Sequence, residues 1–222
     1  MSNFIQTLKQ LVSQGIEGYF AVKYAEFAKN TEKMREEYRR SAVKIASVVQ
    51  KGKLLEIGSG PGYLSIEIAK LLPEIEVIGL DISDTMVEIA KKNANEHGLS
   101  DRIKFKKGNA SKMSFENSSF NFVTSGGSLH HWKKPTLIFN EIYRVLKQDG
   151  RALISDLRKN TPKEKIKEWA DVIDSRIMRW GLKRSFGESY TEERIEEIIK
   201  DTKFRDFMVK VEDINLEIWL KK

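Results

Sequence analysis

The middle of the chain alternates short apolar runs with amphipathic stretches. Apolar runs that suit buried strands occur at residues 53–57, 76–81, 103–107, 120–124 and 151–155. Several of the stretches between them carry apolar residues at helical spacing. Strands that alternate with helices in this way are typical of parallel βαβ units. The pattern therefore predicts an α/β fold with a doubly wound, mostly parallel sheet.

Turn and cap residues predict where the intervening helices begin and end. Serine or aspartate can satisfy free N–H groups of a first turn, and proline fits that turn because it lacks an N–H group. Glycine is common after the last turn, where the backbone becomes left-handed. The expected boundaries are residues 62–72 for the first helix, Ser83 or Asp84 to Gly98 for the second, and Pro135 to Gly150 for the third.

After residue 156 the pattern changes. One basic helix is predicted from Pro162 to Trp180, and another from Thr191, its candidate cap, to Lys200. Two strand-like segments follow at residues 204–211 and 216–220, and so short a connection implies an antiparallel hairpin. The complete prediction is a seven-stranded sheet that ends in an antiparallel hairpin and carries a helical cap.

Two domains are predicted from this organisation. Residues 1–50 are expected to be mostly helical and to form an N-terminal helical cap. Residues 51–222 are expected to form the main domain, with a helical insertion at about residues 157–190.

Composition excludes several kinds of chemistry. The chain has 222 residues, of which 40% are hydrophobic, and this is enough for a full core. It contains no cysteine, which excludes disulfides, thiolate metal sites and a cysteine nucleophile. No apolar run approaches the roughly 18 residues that span a bilayer. We therefore expect a cytoplasmic protein with no membrane span and no metal site.

The net charge of +7 is concentrated in two segments. Residues 1–53 and 157–184 each carry a net charge of +5, whereas residues 54–156 are neutral. Solvated helix faces are the simplest explanation of such an excess. The alternatives are a small anionic substrate or a nucleic acid that approaches these segments.

The most informative motif follows the first predicted strand. Gly58, Gly60 and Gly62 stand between that strand and a helix, where they allow a sharp turn and close approach of a ligand to the backbone. A dinucleotide fingerprint would place its third glycine at Tyr63, so a pyrophosphate site is disfavoured. Asp81 ends the next strand, roughly 20 residues further on, where an acid can accept hydrogen bonds from both ribose hydroxyls.

These motifs occur with others in a characteristic order. The further motifs are Glu56 before the glycines, Gly108-Asn109-Ala110 after the third strand, Ser128-Leu129-His130-His131-Trp132 after the fourth, and Arg144-Val145-Leu146-Lys147 before Gly150. In this order the chain, over residues 50 to 222, resembles the class I S-adenosylmethionine-dependent methyltransferases. It is most similar to their small-molecule branch of the ubiquinone/menaquinone-biosynthesis type, also called type 11.

The resemblance implies a Rossmann-like fold and S-adenosyl-L-methionine as cofactor. Asp81 would bind the ribose, and Asn109, where the family usually has aspartate, would accept a hydrogen bond from the adenine amino group through its amide oxygen. The resemblance also places Gly58, Ser59, Gly60 and Gly62 at the methionine part, Ile82, Met86 and Ala110 at the adenine, and Ser125 and Gly126 beside the sulfonium. Glu56 would help to fix the loop or meet the amino group of the cofactor.

Two histidines are the candidate catalytic residues. His130 or His131 can serve as the general base if the methyl acceptor is a hydroxyl or a protonated amine. Positioning alone suffices for a tertiary amine, a thiolate or a stabilised carbanion. Packing or hydrogen bonding is the commoner role of a histidine in such a loop.

The leading functional prediction is methyl transfer to a small-molecule acceptor. A narrower version of this prediction is that the acceptor carries negative charge. An RNA methyltransferase is one alternative, suggested by the two basic segments. A non-catalytic S-adenosylmethionine-binding regulator is another, since the glycine motif and Asp81 alone do not require an acceptor site.

Overall fold

The computed structural model describes residues 16–173 and 175–222. Within these residues the strands are β1 (Gly52–Ile57), β2 (Ile75–Asp81), β3 (Ile103–Lys107), β4 (Phe120–Gly126), β5 (Leu146–Leu157), β6 (Asp206–Glu212) and β7 (Asn215–Lys221). The α-helices are α1 (Gly18–Asn30), α2 (Glu32–Ala46), α3 (Tyr63–Leu71), α4 (Asp84–Glu96), α5 (Pro135–Val145), α6 (Lys163–Asp171), α7 (Arg176–Glu188) and α8 (Glu192–Lys200). A short 3-10 helix is formed by Leu129–His131.

The seven strands belong to one sheet in the order β3-β2-β1-β4-β5-β7-β6. This confirms the predicted Rossmann-like, mostly parallel sheet with an antiparallel hairpin at its end. The described residues divide into two compact units, one up to residue 113 and one from residue 114 onwards. The division into a cap of residues 1–50 and a main domain of residues 51–222 stays a prediction, and the expected helical structure of residues 1–15 lies outside the described residues.

The first unit is built on three parallel strands. Leu54 of β1 pairs with Val77 of β2, which pairs with Ile103 of β3. Leu54 and Leu55 are adjacent and therefore point to opposite faces of β1, yet both are fully buried. A parallel strand that is covered on both faces has a nearly continuous apolar sequence. This is why the strands of this unit could be recognised from short apolar runs.

The second unit combines one parallel and two antiparallel pairings. Strand β5 runs parallel to β4 and antiparallel to β7. Strand β7 in turn pairs with β6 in an antiparallel hairpin. Only Asp213 and Ile214 connect β6 to β7, and Asp213 has a φ of 52°, which suits a tight turn. The predicted hairpin is therefore confirmed, with β6 one residue shorter and β7 two residues longer than predicted.

The prediction that Gly150 ends the third helix is wrong. Helix α5 ends at Val145, and β5 begins at the next residue, with Gly150 inside the strand. The pairing of β4 with β5 contains an irregularity between Phe120 and Phe122. A Cβ atom at position 150 would lie 2.8 Å from the carbonyl oxygen of Lys147. This glycine therefore marks a crowded irregularity in a strand and not the end of a helix.

The single basic helix predicted from Pro162 to Trp180 is also wrong. Two helices occupy this stretch: α6 ends at Asp171, and α7 begins at Arg176. The side chain of Ser175 accepts a hydrogen bond from the backbone N–H of Met178 at 3.4 Å and so caps α7. The continuous helical spacing of apolar residues concealed this interruption. None of the described helices is long and apolar enough to cross a membrane.

Candidate functional site

The glycine motif after β1 forms a loop of left-handed backbone. The φ angles of Gly58, Gly60 and Gly62 are 67°, 49° and 80°. Residues with a Cβ atom rarely adopt such angles. A Cβ atom at position 62 would also lie 2.6 Å from the ring of Phe105, whereas one at position 60 would meet no atom within 4 Å. Gly62 is therefore required for packing, and Gly60 borders open space.

Asp81 fixes this loop to the end of β2. Its Oδ2 accepts a hydrogen bond from the backbone N–H of Gly60 at 2.8 Å, and its Oδ1 accepts one from the N–H of Ser83 at 2.9 Å. Burial raises the pKa of Asp81, and the hydrogen bonds from Ser83 and Gly60 oppose this rise. A carboxylate has about four acceptor positions, so these two bonds leave acceptor capacity for other hydroxyl groups.

The two apolar residues predicted at the adenine differ in exposure. Ile82 directly follows Asp81 and is 45% exposed. Met86 is buried within α4, whose first turn is capped by the side chain of Ser83. Ile82 therefore offers an apolar surface next to Asp81, whereas Met86 is part of the buried core.

Glu56 is buried at the base of the glycine loop. The hydroxyl of Ser65 donates a hydrogen bond to its Oε2. Burial raises the pKa of Glu56 to about 8, against the opposing effect of the hydrogen bonds with Ser65. The side chain is therefore mostly protonated at pH 7. The nearby hydroxyl of Ser59 is also buried, and it bonds none of the described residues.

Asn109 uses its amide oxygen inside its own turn. The oxygen accepts hydrogen bonds from both the backbone N–H and the hydroxyl of Ser111, at 2.9 and 2.8 Å. Because a carbonyl oxygen has two lone pairs, it has no further acceptor capacity. This arrangement favours the amide NH₂ group of Asn109 over its oxygen as the group that meets a ligand. Ala110 follows it and is half-buried.

A further contact, made by Glu17, has no recognisable signature in the sequence. Its carboxylate accepts hydrogen bonds from the backbone N–H of Asp84 at 2.9 Å, and from the N–H and hydroxyl of Thr85 at 3.2 and 2.7 Å. Partial burial opposes ionisation, but the bonds from Thr85 and Asp84 lower the pKa of Glu17. The segment before α1 is thereby joined to the first turn of α4, just after Asp81 and Ile82.

In the second unit, β4 ends in a network of hydroxyl groups. The hydroxyls of Ser125 and Ser128 lie 2.7 Å apart, and the indole N–H of Trp132 donates to Ser128 at 3.1 Å. Gly126 pairs with Ser155 of β5, and Gly127 turns the chain with a φ of 67°. Ser125 is therefore buried within the protein's own hydrogen bonds, and Gly126 is exposed. Trp132 is buried too.

The 3-10 helix that follows holds His130 against Asp156 of β5. The Nδ1 atom of His130 lies 2.8 Å from Asp156 Oδ1, and its backbone N–H donates to Oδ2 at 2.8 Å. Oδ1 also accepts the N–H of Leu157 at 2.7 Å. Burial opposes protonation of His130, but the charge and hydrogen bond of Asp156 raise its pKa above the usual value.

His131 has the opposite electrostatic character. Its ring lies against that of His130, with centroids 3.9 Å apart. Burial of the ring and the charge of His130 lower the pKa of His131 to about 4, although the residue remains partly exposed. His131 is therefore neutral at pH 7. The two histidines, which were predicted together, differ in both partner and charge.

The predicted site residues thus fall into two groups, one in each unit. Those from Glu56 to Ala110 lie in the first unit, and those from Ser125 to His131 lie in the second. Asp156 was missed because it lies 26 positions from His130 and no motif spacing links the two residues. The described part of the chain contains no group of three or more histidine, aspartate and glutamate side chains that could hold a metal ion.

Comparison with known proteins relates the chain to one family. Residues 49–205 match the family model described as a methyltransferase domain. The chain is 32% identical over 137 residues to an uncharacterized methyltransferase, YcgJ, of Bacillus subtilis, covering 59% of this chain and 53% of that protein. It is 32% identical over 127 residues to the ubiquinone/menaquinone biosynthesis C-methyltransferase UbiE of Geotalea uraniireducens, covering 57% and 53%. The chain spans about half the length of these curated relatives.

Solved structures of other proteins superimpose on most of this chain. A protein of Methanococcus maripaludis, described as an S-adenosyl-L-methionine-dependent methyltransferase, superimposes with a TM-score of 0.77 and 27% identity over 91% of both chains. A SAM-dependent methyltransferase of Aquifex aeolicus has the same fold, with a TM-score of 0.65 and 19% identity over 81% of this chain and 88% of that one.

Proposed function

The chain belongs to the methyltransferase-domain family, and on that premise we propose that it is an S-adenosylmethionine-dependent methyltransferase acting on a small-molecule acceptor. The observation that carries the proposal is the link between the glycine loop and Asp81. The Gly60 N–H group holds one carboxylate oxygen while open space lies in front of Gly60. A ligand can therefore contact the loop backbone and Asp81 together.

The residues of the first unit fit this cofactor. Asp81 retains acceptor capacity for the two ribose hydroxyls, and exposed Ile82 supplies an apolar surface for adenine. The amide NH₂ of Asn109 can donate to a ring nitrogen of adenine. We assign Glu56 to the α-ammonium group of the cofactor, whose positive charge would favour the ionised form of the carboxyl group. When bound, the cofactor supplies an activated methyl group on a sulfonium.

A second part of the proposal concerns the chemical class of the methyl acceptor. UbiE acts in quinone biosynthesis by its name, and a Legionella pneumophila relative, 29% identical over 118 residues, is a malonyl-[acyl-carrier protein] O-methyltransferase. These names support a small metabolite, with a nucleic acid as the less favoured alternative. The net charge of +5 over residues 157–184 supports an anionic one. We place the reaction in the cytoplasm.

Transfer of a radiolabelled methyl group tests the function. The protein is incubated with methyl-labelled S-adenosylmethionine and a cell extract, and the low-molecular-mass, RNA and protein fractions are counted. Label is expected in the low-molecular-mass fraction, and on an anion-exchange column if the acceptor is anionic. Label confined to RNA would favour the nucleic-acid alternative, and cofactor binding without transfer would favour the regulator.

The Asp81→Ala variant provides the negative control for this assay. It should lose transfer because it loses the cofactor, which calorimetry measures directly. Asp84→Asn is the matched variant, since the Asp84 side chain is 69% exposed and contacts Lys107. It should transfer label as the wild type does.

A further inference from the structure

We propose that Glu56 is a neutral acid in the ligand-free first unit and that it loses its proton when the cofactor binds. Binding of S-adenosylmethionine is then an exchange, in which one proton leaves the protein as the α-ammonium group pairs with the Glu56 carboxylate. The inference rests on the proposed function and deepens it, because it adds a proton to the binding reaction. It uses residues of the first unit alone.

Glu56 has few hydrogen-bond donors around it. It lies near the end of β1, just before the glycine loop, and only 3% of the residue is exposed. The hydroxyl and the backbone N–H of Ser65 donate to its carboxyl group, and within residues 16–173 and 175–222 no other residue bonds to it. The carboxyl group therefore lacks most of the water that stabilises an exposed carboxylate.

The groups that face Glu56 supply no positive charge. They come from three elements: Tyr38 from α2, Ser65 from α3 and Asp81 from β2. Burial raises the pKa of Tyr38 well above its ordinary value, so this phenol is neutral. Asp81 is a second acid, and its charge raises the pKa of Glu56 further. No lysine or arginine in the described part of the chain pairs with Glu56, so a negative charge there would be uncompensated.

An uncompensated buried carboxylate is avoided when the group takes up a proton. Removal of a carboxylate from water is costly unless a cation or enough hydrogen-bond donors replace that water. Burial is the main cause that raises the pKa of Glu56 to about 8, and the hydrogen bonds from Ser65 oppose this rise only in part. At pH 7 about nine in ten ligand-free molecules carry the proton, because this pH lies about one unit below the pKa.

An ammonium group is the kind of partner that this acid lacks. An α-amino group with an ordinary pKa of about 7.7–8.0 is mostly charged at pH 7. A positive charge close to a buried carboxyl group lowers the pKa of that group and favours its ionised form. The O–H bond of Glu56 breaks, its electron pair stays on the carboxylate, and the proton passes to the buffer. No other bond forms or breaks, and the α-ammonium group keeps its three hydrogens.

The released proton can be counted by titration calorimetry. S-adenosylmethionine is titrated into the full chain at pH 7 in phosphate and in Tris, whose enthalpies of ionisation differ, and the difference in heat gives the number of protons released. About 0.9 proton should be released for each cofactor bound. The matched ligand is 5′-methylthioadenosine, which has the adenine and the ribose but no α-amino group. It should bind without releasing a proton.

The Glu56→Gln variant tests whether the proton comes from this side chain. Glutamine has nearly the same size and stays neutral, so S-adenosylmethionine should bind to this variant without releasing a proton. The wild-type dissociation constant should fall by about tenfold from pH 6 to pH 7, whereas that of Glu56→Gln should change by less than about twofold. Glu88→Gln is the matched control, because the Glu88 side chain on α4 is 71% exposed and pairs with Lys91. It should behave as the wild type does.

The outcomes distinguish this inference from the proposed function. Cofactor binding to the wild type without proton release would overturn the inference and keep the function. Proton release that persists in Glu56→Gln, or that 5′-methylthioadenosine causes equally, would assign the proton to another group and also overturn the inference. No binding of S-adenosylmethionine to the wild type would overturn both. The comparison of the two ligands uses only the wild type, so it decides the question even if Glu56→Gln does not fold.

Discussion

The two units each place an aspartate near the end of a parallel strand, and the two carboxylates are used differently. Asp81 in the first unit accepts two backbone N–H groups and keeps capacity for further donors. Asp156 in the second unit accepts two backbone N–H groups and also the ring of His130. The first arrangement suits the recognition of a neutral diol. The second holds a histidine ring and the 3-10 helix against β5, and the residue type alone reveals neither arrangement.

The largest loss of stability is expected when the Asp156 side chain is removed, because this removes the hydrogen bonds on one side of the comparison. Asp156→Ala leaves three part-buried hydrogen-bond partners without their acceptor, and each costs about 1–3 kcal/mol, so we expect a loss of about 4 kcal/mol in the free energy of unfolding. Urea unfolding measures it. Asp156→Asn keeps one oxygen acceptor and should cost clearly less. Equal losses in the two variants would show that packing, not hydrogen bonding, determines the effect.

Gly62→Ala tests how tightly the first unit constrains its loop. The new Cβ atom would meet Phe105 at 2.6 Å in left-handed backbone, and strain and overpacking together should cost about 3 kcal/mol. Gly98→Ala is the matched control, because position 98 has a φ of 66° and no atom within 4 Å of a Cβ. It should cost about 1 kcal/mol, from strain alone. A similar loss at both positions would contradict the role given to Phe105.

Asp81→Ala tests whether the carboxylate of the first unit binds the cofactor. Two hydrogen bonds to a charged acceptor are worth about 3 kcal/mol together, so cofactor affinity should fall by about 100-fold in a calorimetric titration. Unfolding should change by no more than about 1 kcal/mol, because neighbouring water can replace the lost acceptor at this half-buried site. Unchanged affinity would reject the placement of the ribose at Asp81.

The smallest expected effect is on the pH dependence of the stability, through His131 of the second unit. The pKa of His131 is lowered to about 4 from an ordinary value of 6.5, so the folded chain binds fewer protons there than the unfolded chain. The stability that this histidine contributes is complete above pH 6.5 and is lost as the pH falls towards 4. His131→Asn should therefore reduce the acid-side loss of stability, by less than about 1 kcal/mol because the residue is exposed. Urea midpoints at pH 4.5 and about pH 7 measure the change.

Much of the fold could be predicted because its signals are local. The apolar runs of the buried strands and the caps at Ser83 and Thr191 act within a few residues, and both caps are present as predicted. The interruption before α7 was missed although Ser175 provided a local signal. Gly150 was misjudged because glycine marks helix ends and strand irregularities alike.

The candidate site was only partly predictable, for a different reason. The glycine loop and Asp81 follow from motif spacing, and the family resemblance is confirmed by the match over residues 49–205. The pairing of His130 with Asp156 joins residues 26 positions apart, and Glu17 contacts residues 67 and 68 positions away. The roles assigned to the individual site residues, including Asn109 and His130, stay predictions.

The contact of Glu17 attaches the N-terminal segment before α1 to the first turn of α4. Glu17 and its partners Asp84 and Thr85 are 67 and 68 positions apart, and closing so long a loop costs chain entropy. The hydrogen bonds from the first turn of α4 to the Glu17 carboxylate hold this loop closed. The amide hydrogens of Asp84 and Thr85 are protected from solvent exchange only while that segment stays attached. Their exchange rates therefore measure attachment of the N-terminal segment from a position distant in sequence, and any ligand that orders α4 should slow its release.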